Sequence, residues 1–345
     1  MQSEAQSNTP LNALGEFGLI EYLTQNAKIN QNSTIKSIGD DAAVVKHDQH
    51  TVVTTDLLVE GIHFDLMYTP LRHLGYKAVV VNLSDVYAMN ATPRQITVSI
   101  AVSARFSVEQ LHDFYEGIYM ACNKYNVDLV GGDTTSSLTG LCISVTALGE
   151  AAKENIVYRR GAKVNDLICV SGNLGAAYIG LQVLEREKKV FQETKGAQPK
   201  LDGYSYVLER QLKPEARKDI VELLKELGVK PTSMIDISDG LSSELLHICK
   251  QSEVGCAVYQ EKIPIDAETT TVADEMNIVP LTAALSGGED YELLFTVPIA
   301  DFEKVSTRKE FTVIGHITEA HAGSKLILNT GKDTDLVAQG WNAMR

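Results

Sequence analysis

The chain has 345 residues, 44% of them hydrophobic and 22% charged, a length suited to two globular domains with substantial cores. Its 45 Asp and Glu outnumber 31 Lys and Arg, giving a net charge of −14. That excess excludes a general nucleic-acid or anionic-membrane binder, whose surface needs clustered cations. No apolar run approaches membrane-spanning length. Cys122, Cys142, Cys169, Cys249 and Cys256 form no C-x-x-C pair and sit mostly in apolar contexts. They are expected to be small buried hydrophobes, not a zinc site or a disulfide framework. The first twenty residues lack the basic start and continuous apolar core of a secretory leader, so a cytoplasmic location is expected.

In chain order, "GEFGLIEYLT" (Gly15 to Thr24) predicts a short helix, followed by a turn at Gly39 to Asp41 and strands in "AAVV" and "TVVTTD". Leu71 to Met89 carries apolar residues at helical spacing, among them Leu74, Ala78, Val81 and Val86. The β-branched "QITVSIAV" predicts a strand. Ser107 to Tyr125 predicts an amphipathic helix, with Ser107 as N-cap and Gln110 three residues on as its capping-box partner. "VDLVGGD", "LCISVTALGE" and "DLICVSG" predict further strands, the last beyond a charged connector, "AKENIVYRR". The change in character over residues 151–163 places a domain boundary there, giving domains 1–150 and 151–345. In the second half, "NLGAAYIGLQVLERE" predicts a helix opening at a Gly-rich turn, and the polar stretch Lys188 to Tyr206 a surface excursion or lid. Helices are predicted for Pro214 to Leu227 and Leu241 to Gln251, and strands for "GCAVYQEKIPI", "YELLFTV", "FTVIGHIT" and the end of "MIDISDG". Both halves mix the two element types, an α/β (α+β) class without short tandem repeats.

The chemistry is carried by aspartates at the ends of apolar strands: Asp40 and Asp41, Asp56, Asp85, Asp133, Asp236 and Asp239. A carboxylate beside a buried strand is costly to desolvate unless something pairs with it. Any single one, such as Asp239 before "GLSSELLHICK", is more often a helix cap than a metal ligand. As a set, with few cations nearby, they point to Mg²⁺, a hard ion that shares oxygen ligands with substrate phosphates. "GGDTTSS" and "SGNLGAAY" resemble phosphate-approach loops, each a weak signal alone. The chain has no G-x-x-x-x-G-K-[ST] and no protein-kinase H-R-D or D-F-G motif. Glu289 and Asp290 follow a Gly-Gly turn, either as ordinary loop carboxylates or as a pair meeting a cationic or amide-bearing substrate. His63, between apolar neighbours, fits a satisfied core histidine. Trp341 either packs the C-terminal tail or covers a flat ring. Arg159 and Arg160 are the cations best placed for phosphate.

"GEFGLI", "GDDAAVV", "TTDLLVEGIHF", "YKAVVVNLSDVYAMNATP", "GGDTT", "RRGAKVND", "IDISDGL" and "LSGGEDYELLFTV", in that order over nearly the whole chain, resemble the thiamine-monophosphate kinase family. That family belongs to the aminoimidazole-ribonucleotide synthetase-like superfamily. The resemblance implies a two-domain fold, with an N-terminal ATP- and magnesium-binding domain that pairs into a homodimer. A C-terminal α/β domain would complete the active-site cleft. It implies ATP and several Mg²⁺ ions, thiamine monophosphate as acceptor, and no protein nucleophile. By position, Asp41, Thr54, Thr55, Asp56, Asp85, Asp133, Asp236 and Asp239 correspond to metal contacts. Gly132, Asp133, Arg159 and Ser238 correspond to ATP contacts, Tyr115 lies near the nucleotide, and His63, Glu289 and Trp341 correspond to contacts with thiamine monophosphate. The alternatives are a ligase or selenophosphate-forming enzyme of the superfamily, and a non-catalytic nucleotide-binding homologue. The first lacks its expected reactive cysteine here; the second is expected to have lost some of the acidic positions.

Overall fold

The computed structural model describes residues 9–39, 42–194 and 198–339. Its chain divides into two units: one of residues up to Val86 together with Thr92–Ala152, the other of Tyr87–Ala91 and the chain from Lys153 onward.

The first unit runs α1 (Gly15–Thr24), β1 (Thr34–Lys36), β2 (Val44–Val45), β3 (His50–Val59), α2 (Leu71–Ala88), β4 (Thr92–Ser103), α3 (Val108–Tyr125), β5 (Asp128–Ser137) and β6 (Leu141–Ala151). β3, β6, β4 and β5 form a four-stranded sheet in that order, with β4 and β5 parallel and the other pairs antiparallel. Along β6, Leu141, Ile143, Val145 and Ala147 are buried, while Cys142, Ser144, Thr146 and Leu148 are half-buried. That is the period-2 alternation of a strand with one covered face. α2 lies on the covered face, where a Cβ on Gly149 of β6 would come 2.4 Å from Val86. Ala78, Val79, Val80, Val81 and Leu83 of α2 are all at most 4% exposed, so the helix is buried nearly all round. It crosses α3 at two glycines: a Cβ on Gly75 would lie 1.9 Å from the Phe114 carbonyl, and one on Gly117 1.9 Å from that of Arg72. α3 starts with the expected capping box, Ser107 and Gln110 each accepting the other's backbone N–H.

The second unit runs β7 (Leu167–Ser171), α4 (Ala176–Glu193), α5 (Ser205–Leu212), α6 (Lys218–Glu226), β8 (Ser233–Asp236), α7 (Leu241–Ser252), β9 (Gly255–Tyr259), α8 (Ala267–Glu275), α9 (Pro280–Ser286), β10 (Leu293–Val297), α10 (Phe302–Ser306), β11 (Phe311–Thr318), β12 (Ser324–Ile327) and β13 (Asp333–Asp335). A seven-stranded sheet has the order β13-β12-β9-β11-β7-β10-β8, with only β9–β12 parallel. Its centre is buried on both faces. Ile168, Val170 and Leu294 enter one core with α7, and Cys169, Phe295 and Val297 enter another with α6 and α10. This explains the continuous apolar runs "LICVS" and "LLFTV". A third core joins α4, α5, α8 and α9.

Two expectations change. α4 continues to Glu193, so Lys188–Glu193 belong to a helix and not to a surface excursion. The stretch is polar because it is the solvated end of an amphipathic helix whose Ile179, Val183 and Leu184 are buried. α6 begins at Lys218, four residues after Pro214, because Arg217 keeps a non-helical backbone (φ −85°, ψ 57°).

Candidate active site

In the first unit, three oxygen-bearing side chains meet on the covered face of the sheet. Thr54 of β3 pairs with Ala147, and its hydroxyl donates to Asp85 Oδ2 of α2 at 2.6 Å. Asp56 lies two residues along the same strand and therefore on the same face. Burial first, and the negative charge of Asp85 second, push its carboxyl up to about 6. Two carboxylates held in mutual repulsion, with a hydroxyl bonded to one of them, form a hard-oxygen donor set.

The other positions of this unit are spread more widely. Thr55 points to the opposite face, where its hydroxyl donates to the Val145 carbonyl at 3.0 Å and accepts from Thr146 at 3.1 Å. Asp56, Val145, Val98 and Gly132 occupy one row across the sheet, and Leu57, Ser144, Ser99 and Asp133 the next. Asp56 and Asp133 thus belong to opposite edge strands, about 14 Å apart at three strand spacings, and face opposite sides. Asp133 is exposed and accepts the Thr134 N–H at 2.9 Å. Gly132 cannot carry a side chain, since a Cβ would sit 1.8 Å from the Val98 carbonyl. Tyr115 of α3 is 4% exposed and bonds to the Thr134 side chain; burial pushes its hydroxyl up to about 12. His63, half-buried after β3, accepts the Val59 N–H through Nδ1 at 3.0 Å. Asp41 and Trp341, with Asp40, lie outside the described residues.

The second unit brings together five of the named positions. β8 ends at Asp236, 4% exposed, and the chain turns through Ser238 and Asp239 into α7. The Ser238 carbonyl accepts the Glu289 N–H at 2.7 Å, and the Ile237 carbonyl accepts that of Tyr291 at 2.9 Å. The "SDG" and "GGED" turns therefore lie side by side. Gly288 allows this approach, since a Cβ there would come 2.4 Å from the Ser238 carbonyl. The Met234 N–H donates to the Tyr158 carbonyl at 3.0 Å, which sets the next residue, Arg159, beside this strand. Burial pushes the Asp239 carboxyl up, against the opposing pull of His247 and Arg159. Arg160 stacks over Tyr158 at 5.7 Å.

Glu244 joins this group without having been marked by the sequence. It is 2% exposed, accepts the Asp239 N–H through Oε1 at 3.1 Å, and its Oε2 has no hydrogen-bond partner. Burial, reinforced by Asp239 and Asp236, pushes it up to about 8. A carboxylate five residues after the turn, in the first turn of the following helix, was the available signal.

Asp290 has a different role from its neighbour Glu289. It is 1% exposed, and its carboxylate accepts the backbone N–H of Gly175 at 2.7 Å and of Ala177 at 3.4 Å. The amides that open α4 in "SGNLGAAY" are thus taken up by the chain's own anion, where a phosphate was expected. Glu292 is buried in the same network, bonded by Ser171, Arg210 and Arg217.

The donors fit Mg²⁺ in kind: Asp56, Asp85 and Thr54 in one unit, and Asp236, Asp239 and the unpartnered Glu244 oxygen in the other, are all hard oxygens. Among the described residues no three His, Cys, Asp or Glu side chains close into a ready-made cage. Open sets of this kind suit an ion that keeps waters and takes further ligands from phosphate.

Comparison with known proteins places this architecture. Residues 39–151 match the family model described as AIR synthase related protein, N-terminal domain, and residues 163–326 that of its C-terminal domain. The class is therefore that of two-domain AIR synthase-related proteins. Among the relatives, the thiamine-monophosphate kinase of Buchnera aphidicola (subsp. Schizaphis graminum) is 38% identical over 92% of this chain and 95% of its own. That of Bacillus subtilis is 33% identical over 95% of this chain and 99% of its own. A solved ThiL, described as complexed with AMPPCP and TMP, is 32% identical, covers 98% of this chain and 100% of its own, and superposes with a TM-score of 0.73. The chain belongs to the thiamine-monophosphate kinase family. A hydrogenase maturation protein, HypE, shares the fold at 18% identity and a TM-score of 0.74.

Proposed function

We propose that the protein transfers the γ-phosphoryl group of ATP to thiamine monophosphate, giving ADP and thiamine diphosphate. The observation that carries this reading is the juxtaposition, in the second unit, of Arg159, Asp236, Ser238, Asp239 and Glu289 around two interlocked turns. It gathers cationic, hydroxyl, metal-binding and substrate-facing groups within a family whose relatives bear the kinase name. The ThiL described with an ATP analogue and TMP supports the same pair of substrates.

The acceptor oxygen of a phosphate monoester is already anionic near neutral pH, so the chain needs no strong general base and no nucleophile of its own. Direct in-line transfer without a phosphoenzyme follows. Mg²⁺, when bound, would neutralise phosphate charge and stabilise the transferring group. Thr54, Asp56 and Asp85 would hold one ion in the first domain, Asp41, Thr55 and Asp133 would contribute to others, and Asp236 and Asp239 would hold Mg²⁺ in the second. Thr54 fixes the Asp85 carboxylate by its hydrogen bond. Arg159 and Ser238, together with Gly132, Asp133 and Tyr115, are assigned to the nucleotide. His63, Glu289 and Trp341 hold thiamine monophosphate, the carboxylate serving the aminopyrimidine or the thiazolium charge. The reading assigns residues 1–150 to ATP and magnesium binding and dimerisation, and 151–345 to completing the site, in a cytoplasmic enzyme. The separation of Asp133 from Asp56 within one chain supports the homodimer, because a second copy can present the edge that its own chain holds away.

A coupled assay with thiamine monophosphate, ATP and magnesium tests the reading. ADP and thiamine diphosphate in equal amounts are expected; AMP formation, or no turnover by folded protein, would overturn it.

A further inference from the structure

Glu289 stands in the left-handed backbone region, at φ 59°, on the loop that touches Ser238. Its side chain has three rotatable bonds, so a defined carboxylate direction requires a partner. Gln211 is such a partner: its Nε2 donates to Glu289 Oε2 at 2.8 Å, and the residue is 5% exposed. The two lie 78 residues apart in sequence.

Gln211 is itself firmly held. It belongs to α5, which packs on α4 so closely that a Cβ on Gly180 would lie 2.0 Å from the Val207 carbonyl. Tyr206 of α5 donates its hydroxyl to Asn173 Oδ1 at 2.8 Å. Arg210 donates to the carbonyls of Asn173 and Asp290 at 3.1 and 3.2 Å and pairs with Glu292 at 3.0 Å. One helix thus braces both the Gly-rich turn before α4 and the loop that carries Glu289. The division of labour within it is chemical: Arg210 directs its charge at Asp290 and Glu292, whereas Glu289 receives a neutral amide. A neutral amide donor orients a carboxylate without itself cancelling the charge.

We propose that Gln211 is a positioning residue for specificity: it holds the Glu289 carboxylate in the direction that receives the cationic, amine-bearing part of the substrate. This rests on the reading of Glu289 as a substrate contact. Gln211→Met, of similar volume without the donor, is expected to raise KM for thiamine monophosphate roughly 2- to 12-fold, equivalent to about 0.5–1.5 kcal/mol. KM for ATP and the melting temperature stay close to wild type. Gln211→Glu sets two carboxylates against each other; its KM defect is larger at pH 8 and shrinks at pH 5.5, where one shared proton restores the donor. In the double variant with Glu289→Gln, the Gln211→Met change adds little further loss.

If Glu289→Gln leaves KM for thiamine monophosphate unchanged in a folded protein, the substrate role of Glu289 falls, and this proposal with it. If Glu289→Gln raises that KM while neither Gln211 variant does, the proposal alone is overturned. It is also overturned if the Gln211 variants raise both Michaelis constants equally or if the two sites prove additive. Should Gln211→Met fail to fold, the pH-dependent KM of Gln211→Glu decides by itself.

Discussion

The Asp290 carboxylate accepts the N–H of Gly175 at 2.7 Å, tying the loop before β10 to the first turn of α4 across 115 residues. A negative group at a helix N-terminus is favourable in charge and satisfies donors that the helix leaves open. Here it also explains why the Gly-rich turn is not an empty anion cradle.

That relationship predicts a stability effect. Asp290→Ala leaves the Gly175 and Ala177 amides without their acceptor and weakens the compensation of buried Arg210. A loss of about 3–5 kcal/mol is expected, the range for removing one partner of a buried pair. Asp290→Asn keeps an acceptor oxygen and should lose less. Urea unfolding of the two variants checks the order, and equal midpoints with wild type would show the cap to be inconsequential.

Besides Asp239, three carboxyls rise on folding: Asp56 to about 6, Asp290 to about 7 and Glu244 to about 8. Each folded value lies above the unfolded one, so the folded chain binds more protons between the two. Stability is then fully present below about pH 4 from these groups and falls as pH rises toward 8. Glu244→Gln removes the widest of the three windows. In chelator-treated protein it should raise the melting temperature at pH 8 and change it far less at pH 4.5. A variant effect of the same size at both values would refute this account.

How much of this was legible before the structure depends on the range of the interaction. The capping box of α3 was visible because Ser107 and Gln110 are three residues apart, and β11 because "FTVIGHIT" is bounded and β-branched. The aspartates stood out because charge at the end of an apolar strand is costly. Gln211 carried no such mark: its partner lies 78 residues away, and a glutamine in a polar helix looks like surface until α5 is packed. Asp290 misled for a related reason. Beside Gly287, Gly288 and Glu289 it resembles a loop carboxylate, and only the return of β10 to β7 buries it. The length of α4 was hidden by Lys188–Glu193, where Val190 and Phe191 are exposed among charged and polar neighbours and no buried face marks the helix.

Within the first unit, Asp56→Asn and Asp133→Asn should each abolish turnover without loss of fold, because each removes charge proposed to hold Mg²⁺. Their stabilities should differ. Asp56 is half-buried and repelled by Asp85, so its neutral replacement should stabilise the metal-free protein, whereas exposed Asp133 should have little effect. Steady-state assays over a magnesium titration, paired with melting curves, test both halves. Near-wild-type activity of either variant at low magnesium would remove that residue from the metal set.

Arg159 offers the sharpest separation of the two substrates. It is exposed, follows the Tyr158 carbonyl that pairs with Met234, and its charge is felt by Asp239. A guanidinium so placed suits a phosphate clamp, whose hydrogen bonds are charge-assisted and present in both ground and transition states. Arg159→Ala should therefore raise KM for ATP and leave kcat within a fewfold of wild type, the signature of lost uniform binding. A charged hydrogen bond is worth about 1.5–3 kcal/mol, which corresponds to roughly 10- to 150-fold in that constant. Arg159→Lys should recover part of the loss, since it restores charge but not the two-pronged geometry. The same substitution should barely affect KM for thiamine monophosphate, whose proposed contacts are His63, Glu289 and Trp341. If instead the acceptor's constant rises and that of ATP holds, Arg159 clamps the phosphate of the other substrate, and the assignment of the two ends around the Ser238 and Glu289 turns must be exchanged.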